Sequence, residues 1–194
     1  MIKLETERLL LRNFKPIDWK DLLEITQEYE QSDIGQYDQE YPQTSEEIKE
    51  LVEILGNGDE FAAIVLKDQP KVIGLVQFQR KKDYVDEIVH GLGGILNSNF
   101  QGKGYAFEAF EIVLKHLFEV FRIDRCIAGT AAVNNKSRKL IERLGFRETI
   151  QKQVHFRKDS NGDPINFNYV IYEFSRKDWE IYKKLKGDNL NYFN

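Results

Sequence analysis

Two glycines flank a lysine in the segment QGKGYA, residues 101–106, which immediately precedes a strongly helical pattern. Because glycine has no β-carbon, its backbone can approach a ligand closely, and the first N–H groups of a helix have no partner inside the helix. Those N–H groups and the positive end of the helix dipole favour an anion such as a phosphate. Two common phosphate motifs are excluded, because Gly104 follows Lys103 where a Walker loop needs Ser or Thr, and Phe107 stands where the dinucleotide fingerprint needs glycine. The segment therefore predicts a phosphate site of a different kind.

Asn134 and Ser137 form a second set of candidate binding residues, at the start of a pattern that is typical of a short helix ending at Gly145. Asparagine is a favoured helix N-cap, and a serine hydroxyl in a first turn commonly bonds to the backbone or to water. Both residues can therefore be structural, or they can contact the same ligand as the glycine segment.

Two titratable residues, Glu87 and His90, lie on the predicted strand that leads into the glycine segment. Either side chain could accept a proton as a general base. Since side chains alternate along a strand, Glu87 should lie on the same face as Gly91, with about 13 Å between the two residues at the usual strand rise. His90 should point to the other face unless the neighbouring glycines form a bulge. A solvated strand position is the alternative for each.

The elements that would position these residues follow from the hydrophobic pattern. The predicted strands cover 4–14, three segments of an antiparallel meander within 60–96, 123–133, 146–156 and 165–174. The predicted helices cover 17–29, 44–56, a long segment from Ala106 and 134–145. The alternation predicts an α/β or α+β class, with a mixed central β-sheet of about seven strands flanked by about four helices. Since domains commonly hold about 100–200 residues, we expect one domain over 1–186 and a frayed tail over 187–194.

Composition excludes several classes of protein. The 194 residues carry a formal net charge of −4, which argues against a nucleic-acid partner. No apolar run approaches the ~20 residues that cross a bilayer and no signal-peptide pattern is present, so we expect a cytoplasmic protein without a membrane partner. Cys126 is the only cysteine, which excludes an internal disulfide or a cysteine metal cluster, and we expect no metal. Residues 28–60 hold eleven acidic residues and one base, Lys49, which favours a cationic partner.

The segments LETERLLLR, GKGYAFEAF and NNKSRKLIERLGF resemble, in order and spacing, the ribosomal-protein-alanine acetyltransferase branch of the GNAT superfamily of N-acetyltransferases, with the likeness covering residues 4–174. The resemblance implies the GNAT fold, acetyl-CoA as co-substrate, and direct attack by an amine in a ternary complex. It implies that a glycine loop holds the pyrophosphate of coenzyme A and that the preceding strand pairs with the pantetheine amides. The cofactor-binding residues it implies are Ile95, Leu96, Gln101, Gly102, Lys103, Gly104, Tyr105, Ala106, Asn134 and Ser137.

The chain departs from this family pattern at the general base. Relatives in the branch often carry a glutamate on the strand, and the aligned position here is Gly91, which leaves Glu87 and His90 as the candidates. Ile141 stands where the superfamily frequently has a tyrosine that protonates the thiolate, so Ser137 is the remaining candidate acid. The expected acceptor is a protein N-terminus or a small cationic amine. An aminoglycoside-type acetyltransferase and a non-catalytic acyl-CoA-binding module stay open as alternatives, as do a monomer and a homodimer.

Overall fold

The computed structural model describes residues 2–190, with side chains described through residue 186. The strands in this part of the chain are β1 Lys3–Glu5, β2 Leu9–Arg12, β3 Phe61–Leu66, β4 Val72–Gln77, β5 Val89–Gly91, β6 Gly93–Leu96, β7 Arg125–Ala131, β8 Arg147–Val154 and β9 Phe167–Ser175. The helices are α1 Trp19–Glu30, α2 Ser45–Asn57, α3 Tyr105–Glu119, α4 Asn135–Arg143 and α5 Arg176–Leu190. The frayed tail predicted over 187–194 lies outside the residues whose side chains are described.

The strands form two sheets that are linked through the chain between β5 and β6. The first sheet has the order β1-β2-β3-β4-β6, and the second has the order β5-β7-β9-β8. Neighbouring strands are antiparallel except β5 and β7, which run parallel with His90 beside Cys126. This mixed arrangement with flanking helices confirms the predicted fold class.

The strands and helices are more numerous than predicted, for three local reasons. The predicted strand over 4–14 is a hairpin, because the chain turns at Thr6 and β1 pairs back on β2. The strand before the glycine segment is two elements, because its pairing partner changes at Leu92 from β7 to β4. The additional helix, α5, packs on the body of the protein through Trp179, whose ring stacks on Phe118 with the centroids 5.6 Å apart.

Helices cover both faces of the first sheet. On one face, Leu22 of α1 and Val52 of α2 pack against Ile95 and its neighbours. On the other face, α3 buries an apolar stripe that includes Val113 and Leu117. Burial of these large apolar side chains is the main favourable contribution to folding, at about 1.5–3 kcal/mol each.

The two apolar clusters of the described residues cover the second sheet on only one side. The α3 cluster continues over it through Cys126 and Tyr172. Because side chains alternate along a strand, the register of β7 and β9 places Ile127, Gly129 and Ile171 on the opposite face. Neither apolar cluster includes these three residues. We call the side of the second sheet that bears Ile127, Gly129 and Ile171 the open face.

Candidate active site

The strand formed by β5 and β6 leaves β7 halfway along its length. The Leu92 N–H donates to Ile127 O at 2.8 Å, and beyond this bond β6 pairs with β4 while β7 pairs with β9. On the other side of the same strand, the Asn97 N–H donates to Ile73 O of β4 at 2.8 Å. We call the space between β6 and the end of β7 the gap. Its two edges are strand backbones without a strand partner in the described residues.

Alternation along the strands decides which backbone groups face the gap. Since odd-numbered residues of β6 bond to β4, the N–H groups of Gly94 and Leu96 face β7. Since Ile127 faces β5, the N–H groups of Gly129 and Ala131 face β6. The gap is therefore lined by two N–H groups from each strand.

Because of this alternation, the two predicted cofactor-binding residues of β6 direct their N–H groups to opposite sides of the strand. Leu96 turns its backbone N–H to the gap, whereas Ile95 pairs with Leu75 of β4 and buries its side chain in the cluster under α1 and α2. Ile95 can support the strand, but its N–H is directed away from the gap.

The glycine segment forms an open loop directly before α3. Gly102 and Gly104 have φ values of +75° and +85°, in the left-handed region that favours glycine. A β-carbon built on Gly102 would meet no atom within 4 Å, and one built on Gly104 would meet only Arg8 Nη2, at 3.3 Å. α3 begins at Tyr105, so its unbonded first N–H groups adjoin this free space. The loop therefore fits a bulky anion such as a pyrophosphate.

A polar network that sequence analysis missed holds the loop in place. The Glu108 carboxylate accepts hydrogen bonds from Thr6 Oγ1 at 2.5 Å, from Arg8 N at 3.0 Å and from Arg8 Nε at 2.7 Å. Arg8 Nη1 donates to Lys103 O at 3.0 Å, and its guanidinium lies 4.4 Å from the centre of the Tyr105 ring. Burial would raise the pKa of Glu108, but the bonds from Thr6 and Arg8 outweigh it, so the pKa is lowered. The turn between β1 and β2 thereby anchors the first turn of α3.

The start of α4 closes the other side of the loop. Asn134 Oδ1 accepts from the Ser137 N–H at 3.1 Å, which confirms Asn134 as the N-cap. Lys136 Nζ donates to Gln101 Oε1 at 3.1 Å, and Gln101 Nε2 donates to Leu96 O at 3.1 Å. Gln101 therefore connects β6, the loop and α4. Within the described residues, the Ser137 hydroxyl has no hydrogen bond and remains available to a ligand.

The structure brings neither predicted base to the gap. Glu87 lies before β5, where its carboxylate pairs with Arg125 Nη2 at 2.6 Å. His90 is buried, with Nδ1 2.6 Å from Phe78 O and its ring centre 5.8 Å from that of Phe121. Because side chains alternate along the strand, the His90 side chain lies on the same face as Leu92, opposite Gly91.

Lys81 lies over Gly91, the position that the sequence resemblance aligns with a glutamate. A β-carbon built on Gly91 would lie 2.6 Å from Lys81 Cε and 3.2 Å from Lys81 Nζ. Because Leu92 packs in the α3 cluster, the alternating position Gly91 faces the other side, toward α1 and the open face. Lys81 stands in the irregular connection between β4 and β5, where no periodic pattern could have pointed to it.

Other sequence expectations concern cysteine and membranes. Cys126 is fully buried, and burial raises the pKa of its thiol, which disfavours the thiolate form that a nucleophilic cysteine needs. Within residues 2–190, no helix is long and apolar enough to cross a bilayer. In the same range, no group of three or more His, Cys, Asp or Glu side chains is arranged to hold a metal ion.

Comparison with known proteins gives a family. The model described as "Acetyltransferase (GNAT) domain" matches residues 8–147. The uncharacterized N-acetyltransferase YnaD of Bacillus subtilis (strain 168) is 32% identical over 143 residues, which cover 73% of this chain and 81% of YnaD.

Solved structures share the fold. A GNAT-family acetyltransferase from Bacillus anthracis superposes with a TM-score of 0.75 at 26% identity, covering 91% of this chain and 99% of that one. The ribosomal-protein-S5-alanine acetyltransferase of Vibrio fischeri gives a TM-score of 0.74 at 20% identity, covering 92% and 99%. The chain therefore belongs to the GNAT family of N-acetyltransferases, as the sequence resemblance predicted.

Proposed function

We propose that acetyl-CoA binds in the gap and that a primary amine attacks its acetyl group directly, from the side of the open face. GNAT acetyltransferases use acetyl-CoA, which supplies the acetyl group as a reactive thioester. The observation that carries the proposal is the gap, where N–H groups of Gly94, Leu96, Gly129 and Ala131 face the space beside the glycine loop. Fixed donors of this kind stabilise the negative charge that develops on a carbonyl oxygen during acyl transfer.

The residues of the loop would hold the pyrophosphate. Gln101 and the backbone from Gly102 to Ala106 surround the free space at the start of α3, and Lys103 adds a positive charge there. Leu96 can pair with a pantetheine amide, because its N–H faces the gap. The side-chain amide nitrogen of Asn134 has no bond in the described residues and lies at the same end of the gap.

Deprotonation of the acceptor proceeds, on this proposal, without a carboxylate base at the gap. An α-amine with a pKa near 8 is about 10% neutral at pH 7, whereas a lysine-type amine near 10.4 is only about 0.04% neutral. The positive charge of Lys81 lowers the pKa of an amine bound beside Gly91, since like charges disfavour the protonated form. Glu87 and His90 then have structural roles.

Ser137 would return a proton to the departing thiolate. Its hydroxyl is free in the described residues and sits in the first turn of α4, whose N-terminus also favours negative charge. Ile141, at the position of the frequent tyrosine acid, packs in the α3 cluster and has no proton to donate.

The acceptor we favour is a protein N-terminus or a small cationic amine. The resemblance to the ribosomal-protein branch supports the first, and the acidic residues between 28 and 60 support the second. A non-catalytic acyl-CoA-binding module is the second candidate, because glycine stands at the base position while the loop is intact.

The test is thiol release from acetyl-CoA by the full chain with matched acceptors. One peptide carries a free N-terminal amine and no lysine, and its partner has a blocked N-terminus and one lysine. Diamines and an aminoglycoside complete the set. We expect turnover with a free α-amine or a diamine. Acetyl-CoA binding without turnover on every acceptor would instead identify a binding module, and turnover confined to the aminoglycoside would identify a resistance-type enzyme.

A further inference from the structure

Asp38 carries a carboxylate that is held in place without a cationic partner. It lies on the segment between α1 and α2, where Oδ2 accepts from the Tyr29 hydroxyl at 2.9 Å and Oδ1 accepts from the Gln39 N–H at 2.8 Å. Both donors are neutral. In the described part of the chain, the side chain of Asp38 forms no salt bridge. Arg157 donates to the main-chain oxygen of Asp38 but forms no ion pair with its carboxylate, so a cationic ligand can still pair with this half-buried group.

The neighbouring cation, Arg157, is already engaged. Its guanidinium binds both carboxylate oxygens of Glu30, at 2.7 and 2.8 Å, and donates to the main-chain oxygens of Asp38 and Gln39 at 2.5 and 2.6 Å. The side chains of Arg157 and Glu30 are only 10% and 16% exposed. This pair fastens the segment that carries Asp38 to the connection between β8 and β9, and Arg157 is in this sense a positioning residue.

Aromatic rings connect Asp38 with the gap. Tyr37 packs on Phe167 of β9, with ring centres 5.1 Å apart, so the segment reaches over the open face. Tyr169, on the same face, lies against β7, because a β-carbon built on Gly129 would come within 2.5 Å of Tyr169 Cζ. Phe167 in turn neighbours Tyr169, with ring centres 6.3 Å apart, so the segment that carries Asp38 lies next to Tyr169. Burial, and after it the negative charge of Asp38, raises the pKa of Tyr169 to about 12.

We propose that Asp38 binds a second positive charge of the acceptor, so that the preferred substrate carries one reacting primary amine and one further cationic group beyond Tyr169. This inference rests on the proposed function and specifies its substrate. The reacting amine must be neutral to attack, so the cation at Asp38 has to be a different group.

The experiment compares acceptors that differ only in the second charge. Butane-1,4-diamine is paired with butylamine, and a peptide with lysine after its free N-terminal residue is paired with the same peptide carrying norleucine. We expect the wild-type chain to prefer the dication in at least one pair by about tenfold in kcat/KM, the size of a hydrogen bond to a charged group. A preference in the first pair indicates a small polyamine as the substrate, and a preference in the second pair indicates a peptide.

The variant Asp38→Asn removes the charge and nearly keeps the shape. It should reduce the preference to about twofold and leave the KM for acetyl-CoA unchanged, because only the charge-assisted part of the interaction is lost. The matched control is Asp33→Asn, which removes an equal charge from an exposed position of the same segment. In the wild-type chain, added NaCl should weaken the preference by screening, which tests the proposal even if Asp38→Asn does not fold.

The outcomes separate the two proposals. Three outcomes would overturn the role of Asp38 and leave amine acetylation standing. The wild-type chain could show no dication preference, Asp38→Asn could keep the preference, or Asp33→Asn could lose it to the same extent as Asp38→Asn. Absence of turnover on all four acceptors, with acetyl-CoA bound, would overturn the proposed function itself.

Discussion

Gly102→Ala is the sharpest test of the pyrophosphate loop, because the structure supplies a matched control. Gly102 has a φ of +75° and Gly162, in the connection between β8 and β9, has a φ of +88°. A β-carbon built on either residue would meet nothing within 4 Å. The two substitutions therefore impose the same backbone cost without a steric clash, and only one of them lies beside the proposed phosphate. Gly104 is less suitable, since its β-carbon would approach Arg8 Nη2 at 3.3 Å.

The expected magnitudes separate stability from binding. A non-glycine residue in the left-handed region costs about 1–2 kcal/mol. In a domain of this size about 1 kcal/mol lowers the melting temperature by about 2–4 °C, so each variant should melt about 2–8 °C lower. At Gly102 the new methyl group also fills the space that the phosphate oxygens would occupy. Losing hydrogen bonds to a charged group costs about 1.5–3 kcal/mol, which weakens acetyl-CoA binding about 10- to 150-fold.

Two measurements on each variant check this reasoning. Thermal unfolding without ligand should give similar melting temperatures for Gly102→Ala and Gly162→Ala. Calorimetric titration with coenzyme A should show weak binding for the first and wild-type affinity for the second. If both variants bind coenzyme A as the wild-type chain does, the pyrophosphate lies elsewhere. If both lose affinity equally, the loss follows from backbone strain and the loop assignment fails.

Two further predictions concern the reacting groups. Ser137→Ala should lower kcat about tenfold or more while the KM for acetyl-CoA stays within about twofold, because proton donation matters only in the transition state; an unchanged kcat where chemistry is rate-limiting would return Ser137 to a structural role. Lys81→Met should move the acidic limb of the kcat profile, measured at saturating acceptor, about 0.5–1 pH unit toward higher pH, because removing a nearby positive charge raises the pKa of the bound amine. The exposed neighbour Lys82→Met is the control, and equal profiles for both variants would refute the role of Lys81.

Most of the fold could be predicted from short sequence patterns. The glycine loop, the long helix after it and the cap at Asn134 each depend on a few adjacent residues, and the structure places all three as predicted. The hairpin at the N-terminus was missed because its two short strands read as one apolar run. α5 was missed because Trp179 and Tyr182 find their packing partners, such as Phe174, only in the folded chain.

The site was less predictable because its supports join distant parts of the chain. Arg8 and Glu108 are separated by 100 residues, and Glu30 and Arg157 by 127. No period or spacing marks such pairs. The same holds for Lys81, whose position over Gly91 depends on how an irregular connection folds back on β5. Sequence analysis could show that the family's glutamate was missing, and only the structure shows what lies there instead.

On these proposals, the opposite charges of Lys81 and Asp38 orient the acceptor on the open face. Lys81 lies over Gly91 beside the gap, while Asp38 lies on the segment that packs on Phe167, the neighbour of Tyr169. A positive charge at the gap disfavours an ammonium group there, and a negative charge further out favours one. Lys81 alone would only repel a cationic acceptor, and a carboxylate at the gap would keep the reacting amine protonated. The separation of the two charges, rather than the number of acidic residues in 28–60, would therefore bring a diamine to the gap with its neutral end first.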